Sequence, residues 1–199
     1  MFTGLVQEVG EVRALEPAGP GVRLSVRAPS TAQPAAIGDS VAINGCCLTI
    51  VAVDGADLAF EAGSETLART NLGRLHAGSR VNIESSLKLG DPLGGHLVTG
   101  HIDGLGRLDE RADDAQWCTM WFRADGALLR QMASKGSVAV DGVSLTLVDV
   151  TDQRFSVALI PHTLSVTTLG ERRAGDSVNL ETDVLAKYVE RQLAGRGIA

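Results

Sequence analysis

The 199-residue chain carries a formal net charge of −6, with 18 Lys and Arg scattered among 24 Asp and Glu, and so lacks the clustered positive charge of a nucleic-acid binder. No apolar run approaches the roughly 18–20 residues that cross a bilayer, and Met1-Phe2-Thr3-Gly4 has neither the basic nor the apolar part of a secretory leader, so a cytoplasmic protein is expected. Three cysteines, Cys46 and Cys47 adjacent and Cys118 alone, make neither a disulfide framework nor a zinc-ligand spacing.

Phe2 to Val12 is expected to open the fold as a strand, and Val22 to Arg27 alternates apolar and polar residues at strand period. The Pro17-Ala18-Gly19-Pro20-Gly21 turn joins them as a hairpin. Pro29 to Ala36 can hold only a short helix, because Pro34 lies inside it. Val41 to Ile43, Leu48 to Val53 and Leu58 to Phe60 are the next strands, the last two linked by the hairpin signal Asp54-Gly55. Ser64 is read as the N-cap of a single-turn helix through Leu67 that ends before Asn71, and Arg80 to Glu84 is the sixth strand. Six short strands with close turns and little helix predict a closed Greek-key barrel, which leaves no strand edge to mispair.

Lys88 to Gly95 reads as a linker, after which the pattern restarts. Asn44-Gly45-Cys46-Cys47-Leu48-Thr49 returns as Asp141-Gly142-Val143-Ser144-Leu145-Thr146, 97 positions on, and the same step carries Val41 to Val138, Thr66 to Thr163, Gly73 to Gly170 and Glu84 to Glu181. Leu97 to Ile102 matches Met1 to Val6 at a step of 96, which requires one inserted residue between Gly106 and Val138. A repeat this long is a domain with its own core, not one unit of a stack. The expected fold is therefore all-β: two similar six-stranded closed barrels, residues 1–96 and 97–199, with short helices. Thr182 to Ala194 adds a terminal helix, with Thr182 or Asp183 as cap and Gly195 just past its end. Its stripe of Val184, Leu185, Tyr188, Val189 and Leu193 has no counterpart in the first half and can pack on its own barrel or on another chain.

The copies differ where chemistry would sit: Asn44 against Asp141, Cys47 against Ser144, Glu65 against His162. The Met-Phe-Thr-Gly-Leu-Val opening, Asn-Gly-Cys-Cys-Leu-Thr, Gly94-Gly95-His96-Leu97-Val98-Thr99-Gly100-His101-Ile102, and Asp-Gly-Val-Ser-Leu-Thr followed by Ile160-Pro161-His162-Thr163-Leu164 together resemble the riboflavin synthase family over almost the whole chain. The resemblance implies a homotrimer that turns two molecules of 6,7-dimethyl-8-ribityllumazine into riboflavin and a ribitylamino-uracil, with neither metal nor organic cofactor.

The same resemblance implies the site. In the first barrel it points to Gly4, Leu5 and Val6, to Cys47, Leu48 and Thr49, and to Glu61, Ala62, Gly63, Ser64, Glu65 and Thr66; Phe2 and Thr3 are added because the chain begins directly in strand there, against the first barrel or its ligand. In the second it points to Gly100, His101 and Ile102, to Lys135, to Ser144, Leu145 and Thr146, and to Ala158, Leu159, Ile160, Pro161, His162 and Thr163. Backbone amides and Thr hydroxyls at these places suit the amide-like edge of a pteridine and its ribityl oxygens, although Thr is also an ordinary strand residue. Candidate catalytic groups are His101 as a base near neutral pH, with His96 as an alternative, Ser144 with Asp141 to orient or deprotonate it, and Cys47 as a thiol that adds to the ring or merely contacts it.

Overall fold

The computed structural model describes residues 1–195, so the last four residues of the expected second domain lie outside the described chain. In the first half β1 (Glu8–Ala18), β2 (Gly21–Arg27), β3 (Ser40–Ile43), β4 (Cys46–Asp54), β5 (Asp57–Ala62) and β6 (Arg80–Ser85) close in the order β1-β2-β5-β4-β3-β6. In the second half β7 (Gly104–Asp114), β8 (Trp117–Arg123), β9 (Ser137–Val140), β10 (Val143–Val150), β11 (Arg154–Leu159) and β12 (Ser177–Thr182) close in the equivalent order. Every pairing is antiparallel. Register slips at Val12/Ala14 and Ile50/Ala52 recur at Leu108/Glu110 and Leu147/Val150. Such irregularities bend a strand, and bent strands are what allow six short ones to close.

The short helices are α1 (Pro29–Ala32), α2 (Ser64–Arg69), α3 (Gly126–Arg130) and α4 (Pro161–Val166), with the terminal α5 (Val184–Ala194). Strands match at a step of 96 as far as Arg27 and Arg123 and at 97 from Ser40 and Ser137, which places the inserted residue around α3, one residue longer than α1. Three local expectations fail. The first strand begins at Glu8, not Phe2, because Gly4 has φ 77° and breaks the extended run. Strand β1 runs on to Ala18, which shrinks the turn after it to Gly19-Pro20. Gly63, not Ser64, takes the N-cap position of α2. At α5 the choice falls on Asp183, whose Oδ1 accepts the Leu185 N–H at 3.0 Å, while Thr182 ends β12.

Each barrel has its own apolar core. Leu24, Ile50, Phe60 and Ile83 fill the first. In the second, Phe122 and Phe155 stack with centroids 5.4 Å apart. A third, small cluster of Phe2, Ala42, Val98 and Ala139 lies between them, where Phe2 bridges Val98.

The barrels meet through their most alike parts. The hairpin turns Asn44-Gly45 and Asp141-Gly142 have positive φ at both residues, 46° and 78° against 46° and 79°, the pattern for which Asn-Gly and Asp-Gly are suited. The turns abut so closely that a Cβ on either glycine would sit 2.7 Å from the other's nitrogen. Around them Asn82 accepts the Thr168 N–H (2.8 Å) and donates to the Asp141 carbonyl (2.9 Å). Asn179 accepts the Asn71 N–H (2.7 Å) and donates to the Asn44 carbonyl (2.9 Å). Reciprocal buried bonds of this kind fix the docking, while Asn44 Nδ2 and Asn71 Oδ1 stay buried without a partner among the described residues.

Candidate functional site

Strand alternation decides which side of the conserved-looking repeat can meet a ligand. Leu48 and Leu145 point into their barrels and are buried, whereas Cys47 and Thr49, like Ser144 and Thr146, face outwards. Ala62 and Leu159 are likewise core residues. The side chains open to a ligand are therefore those on the outer face of each barrel, not those inside it.

That face is roofed by an arm preceding each barrel. In the first arm the Glu84 carboxylate accepts the Thr3 N–H (2.7 Å) and hydroxyl (2.8 Å) and the Gly4 N–H (3.0 Å). In the second, Glu181 accepts the Thr99 N–H (2.6 Å) and hydroxyl (2.7 Å) and the Gly100 N–H (2.9 Å). Burial pushes the Glu84 carboxyl above its usual value, against the pull of those donors.

Each arm then crosses to the other barrel. The Gly4 carbonyl accepts the Ser144 N–H at 2.8 Å, and the Gly100 carbonyl accepts the Cys47 N–H at 2.9 Å. Val6 packs on the second core and Ile102 on the first. This corrects the expected grouping: Gly4-Leu5-Val6 belongs with Ser144, and Gly100-His101-Ile102 with Cys47. The second combination lines a cavity of about 420 Å³ with Cys46, Glu65, Thr66, Arg69, Thr70 and Asp103, a volume suited to a small heterocycle.

The candidate catalytic groups separate accordingly. Cys47 is half-buried in that cavity, with exposed His101 on its rim. Neighbouring Cys46 is buried, and its thiol is pushed up to about 12, so it stays protonated. Ser144 Oγ lies 2.7 Å from His96 Nδ1. The side chain of Asp141 bonds elsewhere: Oδ1 takes the Asn179 N–H (2.8 Å) and the Asn71 amide (3.0 Å), and Oδ2 takes Arg172 (2.7 Å). Fully buried, its carboxyl is raised by desolvation against the pull of Arg172. Asp141 thus serves the junction between barrels, and the partner of Ser144 is His96.

Among the other expected ligand residues, Glu61, Gly63, Ser64, Glu65, Lys135, Ala158, Ile160 and His162 are exposed on the outer faces, and Thr66, Pro161 and Thr163 are half-buried. Phe2 and Thr3 are buried and hold the arm. Sequence reasoning assigned no role to Arg69, Thr70 or Asp103 at the cavity, nor to the two glutamate anchors. The Glu84/Glu181 repetition was the signal for the anchors.

Residues 3–86 and 99–183 each match the family model described as the lumazine binding domain. Over 99% of its length the chain is 46% identical to the whole riboflavin synthase of Mycobacterium tuberculosis. It is 43% identical to that of Brucella abortus, over 96% of this chain and 97% of the relative. To that of Bacillus subtilis it is 34% identical, over 97% and 90%. Among solved structures, the protein LumP complexed with riboflavin superimposes with a TM-score of 0.85 at 26% identity, covering 92% of this chain and 99% of LumP.

Proposed function

The chain belongs to the riboflavin synthase family, and on that premise we propose that it converts two molecules of 6,7-dimethyl-8-ribityllumazine into riboflavin and 5-amino-6-ribitylamino-uracil, moving a four-carbon fragment from one to the other. The observation that carries this is the pair of equivalent outer faces with unequal chemistry: Cys47, His101 and Glu65 on one, Ser144 and His96 on the other. Identical reactants must play opposite parts, and only two different pockets can assign those parts.

Holding two flat rings in reacting register supplies up to roughly 7–11 kcal/mol of the barrier reduction. Acid and base groups then need add only about 10²–10⁴-fold. In this reading His101, on the rim of the cavity that Cys47 lines, takes a proton from the ligand there. Thr49, Thr66, Thr146 and Thr163 are offered for the ring and ribityl oxygens, with Lys135 at the rim of the second face.

The two units, residues 1–96 and 97–199, work in a cytoplasmic homotrimer that brings a first-barrel face of one chain against a second-barrel face of its neighbour. In support, Leu185, Tyr188 and Val189 on α5 are 63%, 68% and 57% exposed, an apolar stripe that its own barrel leaves uncovered. The test is to incubate the purified chain with the lumazine alone. Riboflavin should accumulate at half the molar amount of lumazine consumed. Binding without riboflavin would make the chain a lumazine carrier instead.

A further inference from the structure

Ser144 is held in a way that Cys47 is not. His96 is 9% exposed, and its backbone N–H is fixed on the Thr3 carbonyl at 3.1 Å. Nδ1 lies 2.7 Å from Ser144 Oγ, while Nε2 is buried with no partner among the described residues. His101, whose counterpart in the first arm is Leu5, lies in the other pocket. Each face therefore has a histidine, but the two come from positions that the repeat does not relate.

The protonation of His96 follows from its surroundings. Burial pushes the imidazole below its ordinary value, with only the Asp183 carboxylate drawing it up, so the ring is neutral at neutral pH. A proton on Nε2 would be a buried donor without an acceptor, a rare and costly arrangement, whereas a bare acceptor there costs less. The proton then belongs on Nδ1, where Ser144 Oγ accepts it. With one lone pair so occupied, the Ser144 O–H turns away from the ring, and the free lone pair of His96 sits on Nε2, out of reach of that hydrogen.

The geometry points to His96 as a positioning residue that fixes Ser144 as a hydrogen-bond donor to a carbonyl oxygen or ring nitrogen of the ligand in the second-barrel pocket, an inference that rests on lumazine being the ligand. Ser144 is then a specificity determinant and not a nucleophile, because no base stands ready to take its proton.

Two near-isosteric variants of the full-length chain test this. His96→Asn places an amide N–H where Nδ1 stands, and His96→Gln places one where Nε2 stands. The Asn variant, which keeps an N–H toward Ser144, should weaken lumazine binding clearly less than His96→Gln does. His96→Gln and Ser144→Ala should each weaken lumazine binding about tenfold, as loss of one hydrogen bond does, and the two combined should be no worse than either. Independently of any variant, ¹⁵N spectra of the wild type should show His96 protonated at Nδ1. A kcat loss of about 10²–10⁴-fold in His96→Asn with Kd intact would identify a general base and overturn the inference. So would equal behaviour of the Asn and Gln variants, or a spectrum with the proton on Nε2. Failure of the wild type to bind lumazine would remove the functional proposal itself, and this inference with it.

Discussion

Replacing Glu181 by Gln separates what the arm contributes from what the barrel contributes. The carboxylate takes three hydrogen bonds, from the Thr99 N–H and hydroxyl through Oε1 and from the Gly100 N–H through Oε2. The Gln carbonyl can keep the two Thr99 bonds, but its amide nitrogen then faces the Gly100 N–H, donor against donor, at the 2.9 Å the carboxylate spanned. One charge-assisted bond is lost, a buried N–H is left unpaired, and the remaining bonds lose their charge, about 3 kcal/mol in all. For a chain of this size that lowers Tm by roughly 6–12 °C. Gly100 also carries the carbonyl that holds Cys47 and precedes His101, so riboflavin formation should fall while the Ser144 face keeps its own anchor, Glu84. Differential scanning calorimetry and hydrogen exchange at the Thr99 and Gly100 amides read the first effect, and steady-state turnover reads the second. An unaltered Tm with Gly100 still protected would refute the view that Glu181 anchors the arm.

Arg172→Leu copies the residue that stands at the matching first-barrel position, Leu75, and leaves the buried Asp141 carboxylate without its cation. It should cost about 3–5 kcal/mol in urea unfolding, and adding Asp141→Asn, the Asn44 counterpart, should recover most of it; no recovery would mean the pair is not coupled. Gly45→Ala drives a methyl against the Gly142 nitrogen from a backbone with φ 78°, so it should destabilise by more than about 2 kcal/mol, whereas Gly55→Ala, with open space around it, should cost less. His96 adds a pH dependence. Its folded value is depressed below the ordinary 6.5, so its contribution to stability is full above that pH and lost as pH falls through the folded value, with a slope of up to about 1.4 kcal/mol per unit. His96→Asn should flatten that part of the profile, measured by chemical denaturation from pH 7.5 to 5.

The repeat, the period-2 strands and the turn residues make both barrels legible in the sequence, because strand alternation and Asn-Gly or Asp-Gly turns are local signals. What lay beyond sequence was which copy each arm touches. Gly4-Leu5-Val6 precedes the first barrel in the chain, yet its carbonyl partner is Ser144, a contact between residues 140 apart that no local rule encodes. The same blindness paired Ser144 with Asp141, three residues away, when the strand turns the two side chains to different neighbours. Two glutamates kept at the same step were visible as a pattern, but their task became clear only once the amides they hold were in view.

The crossed arms have a consequence for how such a chain can change. Two identical copies exchanging arms would make a closed homodimer, and there every substitution appears at both faces at once. Joined end to end in one polypeptide, the halves keep that exchange while each is free to drift alone: a thiol can stay on one side as a hydroxyl replaces it on the other. Neither half is complete if excised, since each would leave its roof behind on its sibling, so the covalent link preserves the partnership and at the same time permits the inequality.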